Sequence, residues 1–156
     1  MNQIDPVMTL KQLTSNLFWG VVKAEKRMTG RTTVYSKMVS ENMAILLFKL
    51  LEQFGITIPP AATALEAIET FMAAAMESGI FSPAAVEVHK NNNELNIIIK
   101  TCPFSSGCSK LINEGISNFS CPQMALISVA AQKFAEHFTE KTTIQPGSCV
   151  LHFKEL

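Results

Sequence analysis

Apolar positions recur every three to four residues through the first half of the chain, and every second residue through much of the second half. Val7, Leu10, Leu13, Leu17, Val21, Ala24 and Met28 make one stripe at helical spacing, flanked by Phe18 and Trp19. Pro6 opens this helix, where a missing N–H costs nothing, and Gly30 ends it. Gly20 either permits a close helix contact or is simply tolerated, at about 1 kcal/mol against Ala. A second helix is expected from about Thr32 to Phe54, closed by Gly55. Its second half, Met43 to Leu51, is apolar on nearly every side, which predicts a central helix buried on more than one face. Alternatively, part of that surface meets a second subunit and makes a homodimer. Pro59 and Pro60 block further helix. Thr63 and Glu66 then form a capping box for a third helix with Leu65, Ile68, Met72 and Met76 on its apolar face, ended by Gly79.

The period switches at Ala84. Val86 and Val88 alternate with Glu87 and His89, and Leu95, Ile97 and Ile99 with Asn96, Ile98 and Lys100. Asn91, Asn92 and Asn93 make the turn of this hairpin, because Asn tolerates positive φ. After it come Cys102, Pro103 and an anchoring Phe104, then a turn at Ser105, Ser106 and Gly107. A short helix is expected near Ser109 to Asn113. Ser120 and Gln123 fit a second capping box, which predicts a last long helix through Leu126, Ile127, Val129, Ala130, Phe134 and Phe138 to about Lys141. Pro146 and Gly147 turn the chain. Cys149, Leu151 and Phe153 alternate with Val150, His152 and Lys154 in a closing strand, with Thr142 to Ile144 as its partner. With no repeat or linker, residues 1–156 read as one α+β domain: an antiparallel sheet of about four strands with five helices packed against it.

Composition narrows the function classes. Thirteen basic residues balance thirteen acidic ones, so no broad basic face for nucleic acid is expected, and the short basic segment from Lys23 to Arg31 reads as a solvated surface. The start of the chain lacks a signal-peptide pattern, and the longest apolar run is far shorter than the roughly 20 residues a membrane span needs. These features predict a cytoplasmic protein without membrane association. In a reducing compartment the four cysteines are more naturally thiols or metal ligands than disulfides. The chain has no Gly-rich phosphate loop, no H-E-x-x-H and no G-x-S-x-G, and no histidine adjoins a cysteine, which argues against conventional catalysis.

The cysteines carry the candidate chemistry. Cys121, just after the Ser120 cap, would sit at the positive end of a helix dipole, where a thiolate is favoured. It is otherwise a small buried residue. Cys102 and Cys108 form C-x5-C, Cys121 follows thirteen residues later, and Cys149 lies in a strand expected to neighbour that of Cys102. Four converging sulfurs would suit zinc, and less readily an iron–sulfur cluster. The alternative is four unrelated thiols. Met72 and Met76 are either core filler or, with Phe104 and Phe134, the lining of a pocket for an apolar or aromatic small molecule.

The helical first half, the strand ending in Cys102-Pro103-Phe104, the helix starting at Cys121 and the closing Gly147-Ser148-Cys149-Val150-Leu151-His152-Phe153 together resemble the 4-vinyl reductase, or hydrocarbon-binding, domain family, itself similar to small TRAPP trafficking subunits. The resemblance implies a small-molecule-binding or regulatory domain, often dimeric, with a cysteine-based zinc site in some members. Carried over by position, Cys121 and Cys149 would be ligands. The family's further cysteine before the terminal glycine is replaced here by Thr142-Thr143-Ile144-Gln145, so Cys102 or Cys108 would have to complete the set. The expected function is a non-enzymatic sensor of a small molecule, a metal or redox state. The alternative is an enzyme or accessory protein acting on a tetrapyrrole or aromatic ligand through a reactive Cys121.

Overall fold

A computed structural model of the chain describes residues 6–32, 34–57, 60–145 and 147–156. Pro59 and Pro146 lie outside the described residues, as do the side chains of Val7 and Leu10. Three helices come first: α1 (Pro6–Thr29), α2 (Val34–Gln53) and α3 (Ala64–Glu77). The hairpin β1 (Val86–Asn91) and β2 (Glu94–Ile99) follows, then α4 (Ser105–Asn113) and α5 (Pro122–Ser128). A 3₁₀ segment (Val129–His137) leads into β3 (Phe138–Gln145) and β4 (Ser148–Glu155). The four strands form one antiparallel sheet in the order β1-β2-β4-β3, so the fold class is α+β.

The sheet follows the two-residue alternation closely. Leu95, Ile97 and Ile99 of β2 pair with Phe153, Leu151 and Cys149 of β4, and all six side chains are buried on one face. His152 points to the other face, where it hydrogen-bonds Asn96, so the sheet separates it from Cys149 on the inner side. Asn92 takes the left-handed backbone of the hairpin turn at φ 49°.

The core is organised by α3 rather than by α2. Thr63 caps α3, its hydroxyl accepting from the Glu66 N–H, while the Glu66 carboxylate reaches back to the Ala62 N–H at 2.7 Å. Seven α3 side chains are buried, Leu65, Ile68, Phe71 and Met72 among them. Helix α2 buries Ala44 and Leu51 and packs Phe48 against Phe71, but leaves Met43 and Leu46 outside. Thus, among its described side chains, the run expected to be buried on several sides buries Ala44 and Leu51 and exposes Met43 and Leu46.

Helix α1 is turned away from the predicted stripe. Leu13, Leu17, Ala24 and Met28 are exposed, Leu17 by 61% and Met28 by 84%. Among its described side chains the buried positions are Ser15, Val22 and Glu25, with Phe18 and Trp19 packed beside Val22, Leu111 and Ile116. A polar contact sets this rotation. The Ser15 hydroxyl accepts from the Gly107 N–H at 2.6 Å and from the Ser106 hydroxyl at 2.8 Å. A Cβ at Gly107 would lie 2.3 Å from the Ser15 carbonyl oxygen, so only glycine admits this approach. Apolar period alone cannot register a hydrogen-bonded seam of this kind.

The second half holds two further corrections. Ser105, Ser106 and Gly107 are not a turn but the first turn of α4. The last helix does not run to Lys141. Helix α5 stops at Ser128, whose hydroxyl bonds back to the Met124 carbonyl, and the 3₁₀ segment breaks at Phe134 (φ −112°, ψ 18°). Phe138 begins β3, because Thr139, Thr142, Thr143 and Ile144 are β-branched and the strand from Phe138 to Gln145 finds eight register partners along β4.

Candidate functional site

The chemistry gathers where β2 ends, β4 begins and α5 starts. Cys102 lies three residues past Ile99, the partner of Cys149 across the β2–β4 ladder. Cys121 is the N-cap of α5, not the residue after a Ser120 cap, and Pro122 follows at the first helical position. Helix α5 packs against α2 and brings Cys121 over the inner face of the sheet. All three thiols are buried.

Their interactions are mutual. The Cys149 thiol is in hydrogen-bonding contact with both Cys102 and Cys121. Those two contacts, with burial and the negative charge its neighbours carry when ionised, hold Cys149 firmly in its protonated form. The same contacts act on the neighbours with the opposite sign. Cys149 stabilises the Cys102 thiolate, assisted by the Phe104 N–H and the Gln123 carboxamide, and so lowers its pKa against the effect of burial. Cys149 likewise brings Cys121 down to about 7, despite burial, with help from the N–H groups of Met124 and Gln123 and from the Thr142 side chain. Cys121 makes no regular side-chain capping bond, and these amide dipoles act on its sulfur by proximity alone. The three groups titrate together: one central thiol keeps its proton and two outer sulfurs compete for the charge.

Cys108 stands apart. It is buried in α4 beside the Ser15 seam and makes no hydrogen bond to the other cysteines, although it senses their charges. Burial, first, and the like charges of Cys121 and Cys102 push its pKa far up. Three of the four predicted sulfurs therefore come together and the fourth stays outside the group. Among the described residues no set of three or more His, Cys, Asp or Glu side chains is arranged to hold a metal ion.

An apolar groove of about 590 Å³ opens beside the thiols, lined among others by Met43, Leu46, Phe81, Phe104 and Leu126. Residues adjacent to two of the cysteines, Pro103 and Pro122, form part of its wall. Of the four expected pocket residues only Phe104 lines this groove. Met72 is fully buried in the core, and Met76 and Phe134 pack against that core from its edge. Gln123 also borders the groove and contacts Cys102. The sequence suggested only a capping role for Gln123, paired with Ser120, and its burial beside the groove left no trace in the pattern.

No helix among the described residues is long and apolar enough to cross a membrane. No family model, curated protein or solved structure matches this chain.

Proposed function

We propose that this domain is a non-enzymatic regulatory module that senses oxidants through the Cys102, Cys121 and Cys149 thiols. One observation carries the reading: Cys149 touches both other thiols while Cys121 is held near its thiolate form at neutral pH. A hydroperoxide would be attacked by the Cys121 thiolate at its terminal oxygen. The O–O bond breaks, the alcohol or water leaves, and Cys121 becomes a sulfenic acid. Loss of the charge on Cys121 then frees Cys149 to give up its proton. Its sulfur displaces hydroxide from Cys121, water departs, and a Cys121–Cys149 disulfide remains. The disulfide would draw the start of α5 against β4, so the signal is a change in α5 and the groove wall it carries.

Peptide mapping under non-reducing conditions, after treatment with a small excess of hydrogen peroxide, tests this reading. The expected product links Cys149 to Cys121 and leaves Cys108 reduced. Products confined to sulfinic acids, or a disulfide through Cys108, would sink it.

A second reading keeps the same residues and rests on their chemistry: Cys102, Cys121 and Cys149 are buried thiols of the kind zinc takes, and the ion would have to draw them into a set they do not form as they stand. Zinc would supply structural cross-linking there and would silence the peroxide chemistry. Elemental analysis of protein purified without chelator separates the two, with about one zinc per chain expected for the second and none for the first.

A further inference from the structure

One residue in the wall of the groove beside the thiols carries an unpaired polar atom. Gln123 is 6% exposed, and its carboxamide oxygen has no hydrogen-bond partner. The carboxamide also favours the Cys102 thiolate, the effect of its N–H end rather than of its oxygen. A buried acceptor left unpaired is costly, so native proteins rarely keep one without a use. Gln123 is also the partition between two hollows. The larger groove of about 590 Å³ and a smaller one of about 280 Å³ against Val86 and Ile99 share Ile80, Phe81, Pro103 and Gln123. The remaining lining of the larger groove is almost wholly apolar, and its size falls in the range of small-molecule sites.

We propose that this groove binds an apolar small molecule carrying a single hydrogen-bond donor, such as a medium-chain alcohol, whose O–H pairs with the Gln123 carboxamide oxygen. The apolar body lies along Leu46, Phe104 and Leu126, and the donor end reaches the partition. A charged headgroup finds no counter-ion, because no ionisable side chain lines the groove. A molecule with an acceptor only would leave both itself and Gln123 unpaired. This site does not depend on the oxidation of the thiols, and its test is read with all cysteines reduced.

The two probes are 1-octanol and heptyl methyl ether, isomers that differ in having or lacking the donor. Binding to the full chain is followed by titration of backbone amide shifts in heteronuclear NMR. The expected result is saturable binding of 1-octanol with shifts clustered at Leu46, Phe81, Phe104 and Leu126, and about tenfold weaker binding of the ether, the worth of one hydrogen bond to a buried group. Gln123→Leu should abolish the discrimination by weakening 1-octanol alone. Leu46→Lys, at a position 67% exposed and so safe for folding, should weaken both probes. Equal affinities of the two isomers in the native chain would overturn the proposal, as would shifts that do not saturate or that lie elsewhere. So would a sedimenting dimer that Leu46→Lys converts to monomer, because the groove would then belong to a second copy of the chain.

Discussion

Cys108 and Cys121 are the same residue in the same domain, both buried, and their surroundings drive them in opposite directions. Cys108 sits in the seam between α4 and α1, where dehydration dominates and the one donor that acts on the thiol, its own backbone N–H, is the weakest influence. Cys121 is the more important case because it is just as buried yet held low, by the Cys149 thiol first and by amide N–H groups at the start of α5 second. The difference teaches that burial alone does not decide whether a thiol is inert. What decides it is whether proton donors are built in alongside the desolvation. A single partner, Cys149, makes the difference, and it does so by keeping its own proton.

The largest expected effect follows from that contrast. Alkylation by iodoacetamide at pH 7.5 should be at least about a hundredfold faster at Cys121 than at Cys108, the order expected when one thiol is mostly ionised and the other is not. The sign is that of an acid whose pKa is depressed: reactivity at Cys121 rises as pH climbs through about 7 and falls away below it. Cys149→Ala should move this profile upward and slow labelling at pH 7 by tenfold or more, because the first cause of the shift is gone and burial remains. Site-resolved mass spectrometry across pH 5.5 to 9.5 reads both. A Cys108 that labels as fast as Cys121 would erase the distinction.

Gly107→Ala attacks the Cys108 side alone. The new methyl would meet the Ser15 carbonyl oxygen at 2.3 Å, and two helix backbones must separate to admit it. A loss of about 2–3 kcal/mol is expected, at the upper end for overpacking. Urea unfolding measures it, with an unchanged slope showing that the folded and unfolded states are otherwise alike. The pH profile of Cys121 should stay where it was. Ser15→Ala should cost somewhat less, about 1–2 kcal/mol, since it leaves the buried Gly107 N–H and the Ser106 hydroxyl without their acceptor.

These two poles also differ in how far the sequence disclosed them. The inner face of the sheet was legible because alternation is a local signal: each of Leu95, Ile97, Ile99, Cys149, Leu151 and Phe153 faces the way its parity requires. The approach of Cys149 to Cys102 follows from that register, and Thr63 announced its own helix. The Ser15–Gly107 seam was hidden, since it joins residues 92 apart through a hydroxyl and a missing side chain, neither of which leaves a periodic trace. The apolar stripe of α1 accordingly pointed the wrong way. The start of β3 was obscured for another reason. Phe134 and Phe138 keep helical spacing, and only the pairing of Phe138 with Glu155 and its neighbours along β4 selects strand. Cys108 was grouped with the other cysteines on spacing, while its helix carries it into the seam.

The smallest effect asks whether charge near Cys108 contributes anything. Lys110 is two residues along α4, exposed, bonded to Asn16 at 2.8 Å and 5.5 Å from the centre of the Trp19 ring. A cation so close to a thiol would ordinarily favour the thiolate. Here its ammonium is drawn outward to Asn16 and Trp19, and it is absent from the influences on Cys108, which are burial, the other two thiols and its own backbone N–H. Lys110→Met should therefore leave Cys108 as slow to alkylate as before and change stability by no more than about 0.5 kcal/mol, the scale of one exposed polar contact. A Cys108 that slows markedly in the variant would mean that the cation, and not dehydration alone, governs the seam. The opposition between the two thiols would then be one of degree.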